Sequence, residues 1–330
     1  MYQAGARRLL RRGNSFLRST FLFGLSLGAL PVGADDPPKP KKSVASVSVG
    51  YVLVPFVLTD LEGRPVKGLT GKDVKLLVDG REVATDLFAE SDDAPVSFTI
   101  LLDGSGSMGL VGKMDGAKAA VRELVGQRRP GDDFALFVFA EGEVGEEVPF
   151  TTDGDRIRRA VDAVRPFGKT AFFDALARMP DKSLLGKNGT RAIILLTDGL
   201  DNDSTLTRDD LAVILQGIDV PVYPIGLRSP GSPTEPVNGG NPETLLNLEI
   251  LGHCARLSGG RLAILNDPHQ LPEAVRLIEK DLRSQYLVGF SPTGQGPVKY
   301  RRISLRISGP ARPLRVRAGY RGTLPPFKGG

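Results

Sequence analysis

From Pro95 to about Arg283, short apolar runs alternate with stretches whose apolar residues recur at helical spacing. Ala-Ile-Ile-Leu-Leu at 192–196 and Phe-Ala-Leu-Phe-Val-Phe-Ala at 134–140 show no polar/apolar alternation. Runs of that kind mark strands buried on both faces. Buried strands separated by helices predict the α/β class, with a doubly wound, mostly parallel sheet. The strands are expected at Val96–Leu102, Phe134–Ala140, Ala192–Leu196, Val220–Ile225 and Arg261–Leu265, with Glu143–Phe150 at an edge. Helices fit Met114–Val125, Arg156–Val164, Phe172–Leu185, Arg208–Gly217, Leu245–Leu257 and Pro272–Arg283. Thr207 and Asp210 form a capping box for the fourth.

The flanks differ. Val47, Val49, Tyr51, Leu53, Phe56 and Leu58 sit among β-rich neighbours, and Val74–Val78 runs into an Asp79-Gly80 turn, as in a hairpin. Residues 46–92 therefore predict a small β module, ahead of the α/β domain at 95–285. Residues 286–330 hold further strand-like runs, Gln285–Phe290, Arg302–Ile307 and Leu314–Tyr320, which either return to the small module or extend the main sheet. The Pro/Gly-rich loop 228–243 leaves a carboxyl-terminal strand end, where it can border a binding face.

Charge bears on location. Lys and Arg number 43 against 38 Asp and Glu, a net +5 that invites a nucleic-acid reading. Arg7, Arg8, Arg11, Arg12 and Arg18 carry all of that excess, since residues 1–34 contain no Lys, Asp or Glu. The remainder is formally neutral, and no nucleic-acid partner is expected. The basic start, an apolar stretch at Phe21–Leu30 and small residues at Gly33-Ala34 read as a signal peptide. That stretch is about ten residues, short of the ~20 a membrane-spanning helix needs. The expectation is export to the periplasm, cell surface or exterior, with a Pro/Lys linker at 35–45 and no integral membrane segment after cleavage; retention as an anchor is the alternative. Cys254 is the one cysteine, so no intramolecular disulfide exists, and its helical apolar pattern places it in the core.

The chemistry concentrates where strands end. Phe98–Leu102 stops at Asp103-Gly104-Ser105-Gly106-Ser107, Lys169-Thr170-Ala171 opens a helix, and Thr197-Asp198-Gly199 closes the run Ile193–Leu196. In an open parallel sheet, loops from carboxyl-terminal strand ends converge where strand order reverses. If the strands ending at Asp103 and Asp198 flank that point, two carboxylates and three hydroxyls gather in one place. An all-oxygen set with two charges suits a hard divalent ion, foremost Mg2+, with Mn2+ or Ca2+ as alternatives.

Asp103-x-Ser105-x-Ser107, Thr170 and Asp198-Gly199 together resemble the metal-ion-dependent adhesion site of von Willebrand factor type A domains, a Rossmann-like fold. The resemblance spans roughly residues 95–285. The flanks are similar to a bacterial secreted branch of that family, at Thr59–Thr70, Tyr286–Pro292 and Val316–Tyr320. One departure is Asp73-Val74, where that branch usually carries an aromatic after the acid. By this resemblance Ser105 and Ser107 would ligate the metal directly. Thr170, Asp103 and Asp198 would do so directly or through water, and one coordination position would take an Asp or Glu of a partner protein. Metal and two carboxylates then sum to zero charge.

Other readings compete. Gly104-x-Gly106-x-x-Gly109 matches a dinucleotide fingerprint, but Asp103 would oppose a pyrophosphate, and the next strand ends only at Glu141, much later than the ~20-residue spacing of a ribose-binding acid. Ser105 lacks both a neighbouring histidine and the elbow spacing of a hydrolase; His253 and His269 lie far along the chain and read as structural or solvated. Asp201 and Asp203 follow Asp198 without the terminal Glu of a calcium loop and read as solvated loop residues. The expected function is non-enzymatic, metal-dependent capture of a protein ligand. A metal-dependent enzyme or enzyme subunit and a structural scaffold in a surface or secretion complex are the alternatives.

Overall fold

The computed structural model describes residues 51–110, 112–228, 242–292, 296–310 and 312–325. The expected leader 1–34, the linker 35–45, the start of the β module and the body of the 228–243 loop lie outside the described residues. In chain order the elements are β1 (Val52–Leu58), β2 (Val74–Val78), β3 (Arg81–Glu82), β4 (Leu87–Asp92), β5 (Val96–Asp103) and α1 (Lys113–Gly126). Then come β6 (Asp133–Ala140), β7 (Glu143–Thr151), α2 (Gly154–Ala163), α3 (Phe172–Ser183), β8 (Thr190–Thr197), α4 (Arg208–Leu215) and β9 (Val222–Leu227). The last are α5 (Pro242–Ser258), β10 (Ala263–Leu265), α6 (Leu271–Arg283), β11 (Ser284–Phe290), β12 (Lys299–Ile307), β13 (Leu314–Val316) and β14 (Gly319–Gly322).

The central sheet runs β10-β9-β8-β5-β6-β7. Its pairs are parallel except β6–β7, so Glu143–Thr151 is the antiparallel edge. The chain steps outward from β5 to β6 and β7, then crosses to β8 and steps the other way. The reversal therefore falls between β5 and β8, which pair in parallel from Val96↔Thr190 to Leu102↔Leu196. All eight residues of β5 are buried, as its unbroken apolar run requires. Phe98, Ile100 and Leu102 pack with Ala117, Val121, Ile157 and Ile278 of α1, α2 and α6. Leu101 points the other way, toward Phe172, Leu176, Leu211 and Leu251 of α3, α4 and α5. Each such side chain contributes about 1.5–3 kcal/mol on burial, which holds the three layers together.

Local chemistry sets the helix starts. Asp153 accepts from the backbone of Asp155 and Arg156 at the start of α2. The Thr207/Asp210 capping box is present at α4. Cys254 is buried among the apolar side chains of α5, and burial pushes its thiol up to about 12, which keeps it an inert packing group.

The remaining strands form two four-stranded sheets, β13-β1-β11-β4 and β14-β12-β2-β3. They share one apolar core of Val54, Phe56, Leu76, Val78, Tyr286, Val288, Phe290, Ile303 and Tyr320. N- and C-terminal segments thus build the accessory β module together, and the C-terminal strands return to it rather than extend the main sheet. Asp79 and Gly80 turn at φ 49° and 83° between β2 and β3, as the hairpin signal predicts. The expected single run Leu314–Tyr320 is instead two strands. β13 pairs with β1 and β14 pairs with β12, so the chain changes sheets at Arg317-Ala318 and cannot stay extended in one ladder.

Candidate functional site

β5 and β8 end side by side, and the loops leaving them meet the loop that opens α3. Asp103, the last residue of β5, is wholly buried. Its Oδ1 accepts from the Ser105 backbone N–H at 2.9 Å, and its Oδ2 accepts from the Thr197 hydroxyl at 2.6 Å. Thr197 in turn accepts from the Gly199 N–H at 3.0 Å. Burial pushes the Asp103 carboxyl up to about 6, against the hydrogen bonds from Ser105 and Thr197 and with help from the negative charge of Asp198. An ionised carboxylate in such a place lacks a compensating cation at its own oxygens.

The two serines follow at once. Ser105 is buried and its Oγ lies 3.1 Å from the Ser107 Oγ, so one accepts from the other. Close packing fixes the glycines between them. A Cβ on Gly104 would sit 2.8 Å from Val138 Cγ1, and one on Gly106 would sit 3.1 Å from the Gly168 carbonyl. Those glycines answer to loop packing, not to a phosphate. The Gly106 N–H donates to the Gly168 carbonyl at 2.9 Å, and Phe167 N–H donates to the Gly104 carbonyl at 2.9 Å.

These bonds bring the third loop in. Thr170, buried just before α3, donates its N–H to Asn202 Oδ1 at 2.9 Å. Its carbonyl accepts from the backbone of Asn202 at 2.9 Å and Asp203 at 3.0 Å. The loop that begins with Asp198 therefore clamps Thr170. Asp103, Ser105, Ser107, Thr170 and Asp198 all sit on the three loops that the structure draws together.

Asp201 and Asp203 are not merely solvated. Asp201 accepts from the Phe173 N–H at 3.0 Å and from the Ser204 hydroxyl at 2.7 Å, capping the start of α3. Asp203 pairs with Lys169 at 2.9 Å. Sequence reasoning missed Lys113, whose Nζ lies 2.7 Å from Asp198 Oδ2. The other Asp198 oxygen accepts from the Leu200 N–H at 3.1 Å. Leu110 and Phe167 stand 59% exposed on the loops around the serines. His253 lies on α5 and His269 in the turn before α6.

The donor set fits a hard divalent ion. Every group is oxygen, the Ser105 and Ser107 hydroxyls lie side by side, and Asp103 Oδ2 keeps a lone pair beyond its bond from Thr197. Each Asp198 oxygen accepts one bond, from Lys113 or Leu200, and keeps a lone pair, so Asp198 fits contact with an ion directly or through water. No group of three or more His, Cys, Asp or Glu clusters for a metal among the described residues, so the hydroxyls are indispensable to the set.

Residues 98–200 match the family model of the von Willebrand factor type A domain, and the sheet order and helices above are a VWA-like α/β fold. A protein of Borreliella burgdorferi is 28% identical over 148 residues, which are 41% of this chain and 42% of that relative. The chain thus spans less than half of that relative's length. Among solved structures, BatB from Bacteroides thetaiotaomicron is 23% identical with a TM-score of 0.44, covering 57% of this chain and 100% of that one. An aerotolerance-related membrane protein from Bacteroides fragilis is 21% identical with a TM-score of 0.44, covering 57% and 98%. A von Willebrand factor type A protein from Catenulispora acidiphila is 17% identical with a TM-score of 0.46, covering 77% and 74%. Among the described residues, no helix is long and apolar enough to cross a membrane.

Proposed function

We propose that this protein holds a divalent cation, Mg2+ by the hardness of its donors, at the carboxyl ends of β5 and β8 and uses it to capture an acidic side chain of a partner protein. The observation that carries this reading is Asp103. It is fully buried, its carboxyl is pushed up to about 6, and it accepts from the Thr197 hydroxyl and stands two residues before Ser105, whose hydroxyl pairs with that of Ser107. Ser105 and Ser107 would hold the ion through their hydroxyls, Asp103 through its free lone pair or a water. Thr170 would add its hydroxyl and Asp198 its carboxylate, each directly or through water. When bound, the cation supplies a Lewis-acidic coordination position for a carboxylate oxygen. VWA domains generally engage other proteins, and the exposed Leu110 and Phe167 give this face the apolar contact area that protein interfaces use.

The leader-like composition of residues 1–34 supports export to the periplasm, surface or exterior, and an adhesion-type role fits that setting. Two measurements test the reading. Mg2+ is expected to raise the thermal midpoint of the full chain and to leave Asp103→Ala unmoved. In pull-downs from the native envelope fraction, the same partners should disappear with EDTA and with Asp103→Ala. A folded Asp103→Ala protein that still bound its partner in a metal-dependent manner would overturn the assignment. Turnover by the purified protein would favour the enzyme alternative.

A further inference from the structure

Lys113 is the first residue of α1 and reaches across 85 residues of sequence to Asp198 Oδ2, at 2.7 Å. The two side chains are only 13% and 7% exposed. This placement is unfavourable on two counts. A cation at a helix N-terminus opposes the helix dipole, and removing an ion pair from water carries a desolvation penalty that its Coulomb attraction need not recover. A neutral residue at this position would avoid the first, while leaving Asp198 without its partner.

We infer that Lys113 is a resident cation of the metal site, giving the loaded site a net positive charge that favours an anionic side chain while weakening its hold on the metal. The inference rests on the metal-site reading above. Asp103 and Asp198 contribute two negative charges, Lys113 one positive, and a divalent ion two more. The loaded site is therefore +1, where the two carboxylates and the ion alone would be neutral. An incoming Asp or Glu restores neutrality. Before loading, Lys113 offsets half of the carboxylate charge and repels an arriving cation. The other charged groups on the facing loops act less. Asp201 is turned to the start of α3, where the Phe173 N–H and the Ser204 hydroxyl hold its charge. Lys169 and Asp203 pair with each other at 2.9 Å, with Lys169 68% exposed, and Glu141 is exposed at the end of β6, so water and salt screen these last three.

The test uses the full chain in three forms: wild type, Lys113→Met and Lys113→Arg. Lys113→Gln replaces the first variant if circular dichroism shows it unfolded. Mn2+ alone is the first probe, followed by the electron paramagnetic resonance signal of the free ion. Lys113→Met is expected to bind Mn2+ about tenfold more tightly, the order of effect from removing one shielded like charge beside a dication. Lys113→Arg keeps the charge and should stay within about twofold of wild type on the same scale. Acetate is the second probe, titrated into the Mn2+-loaded proteins against chloride at constant ionic strength and read by water-proton relaxation. Wild type should bind acetate several-fold more tightly than Lys113→Met.

Equal or weaker Mn2+ binding by Lys113→Met, beside a wild type that binds, would overturn the resident-cation role and leave the metal site standing. Equal acetate binding would overturn its role in ligand preference. A wild type that takes up no Mn2+ would overturn the metal site itself.

Discussion

Asp103 makes the metal-free molecule less stable than its packing allows. Its carboxyl rises from 3.8 to about 6 in the folded chain, so the folded state binds this proton more tightly than the unfolded one. That difference corresponds to roughly 2–3 kcal/mol withheld at neutral pH. The contribution is fully present below about pH 4 and is lost as pH rises through about 6. Asp103→Asn keeps the shape without the charge. In EDTA at pH 7 the variant is expected to be as stable as wild type or more so by urea titration. The gap should close as pH falls from 7 to 4. With Mg2+ at pH 7 the order should reverse, because only wild type gains from the ion. A gap that stayed constant with pH would show that the Asp103 carboxyl is not the source of the strain.

The elements around the site are held by polar contacts that cross long stretches of sequence. Asp174 on α3 accepts from the backbone N–H groups of Thr205 and Leu206, each at 2.9 Å, and from the Thr205 hydroxyl at 2.9 Å. These bonds fix the far end of the loop that carries Asp198 and hold the Asp174 carboxyl below its ordinary range despite partial burial. Asp174→Ala is therefore expected to raise hydrogen exchange across residues 198–206 and to weaken Mg2+ binding, with a stability loss of about 1–2 kcal/mol.

At the opposite end of the sheet, buried Arg283 at the end of α6 bonds Asp132 Oδ2 at 2.6 Å and Glu279 at 3.4 Å. It also donates to the Ala94 carbonyl at 3.2 Å, beside the strand junction into β5. Arg283→Met should cost about 3–5 kcal/mol, because it leaves Asp132 and Glu279 buried without their partner. Metal affinity measured by titration calorimetry should stay unchanged.

The apolar runs made the central strands legible, because burial on both faces leaves a pattern that neighbouring residues display by themselves. The five residues expected at the site carry a similar local signal, polar side chains where an apolar strand run stops or a helix opens. Lys113 was not legible, since a lysine in a first helical turn reads as a solvated side chain until the Asp198 loop is folded against it. The Arg283–Asp132 contact joins residues 151 apart, and no local spacing announces it. The break at Arg317-Ala318 was hidden too, because both halves have strand-like composition and only their partners differ.

The site and the accessory module occupy opposite ends of β5. Seven steps of about 3.3 Å put Val96 about 23 Å from Asp103. The module therefore cannot touch a ligand carboxylate at the site. Its coupling to the domain is structural. Arg317, buried between β13 and β14, donates to the Gly319 carbonyl at 2.7 Å and pairs with Asp219 beyond α4. β11 follows α6 without a break, and β4 precedes β5 by three residues. With N- and C-terminal strands alternating in one sheet and paired across the β12–β2 ladder in the other, the module cannot detach without breaking those contacts.

Module and domain should thus unfold together. Phe290 packs edge-on against Tyr320, ring centroids 5.5 Å apart, deep in the sandwich core. Phe290→Ala is expected to cost about 3–5 kcal/mol. Folded Phe290→Ala protein should bind Mn2+ with wild-type affinity, because no site loop touches the sandwich core. In urea, loss of β-sheet circular dichroism and release of bound Mn2+ should then fall on one transition, shifted equally to lower denaturant. If the variant released its sheet signal in two steps, with Mn2+ retained through the first, the module would be an independent unit hung on the domain rather than part of its cooperative core.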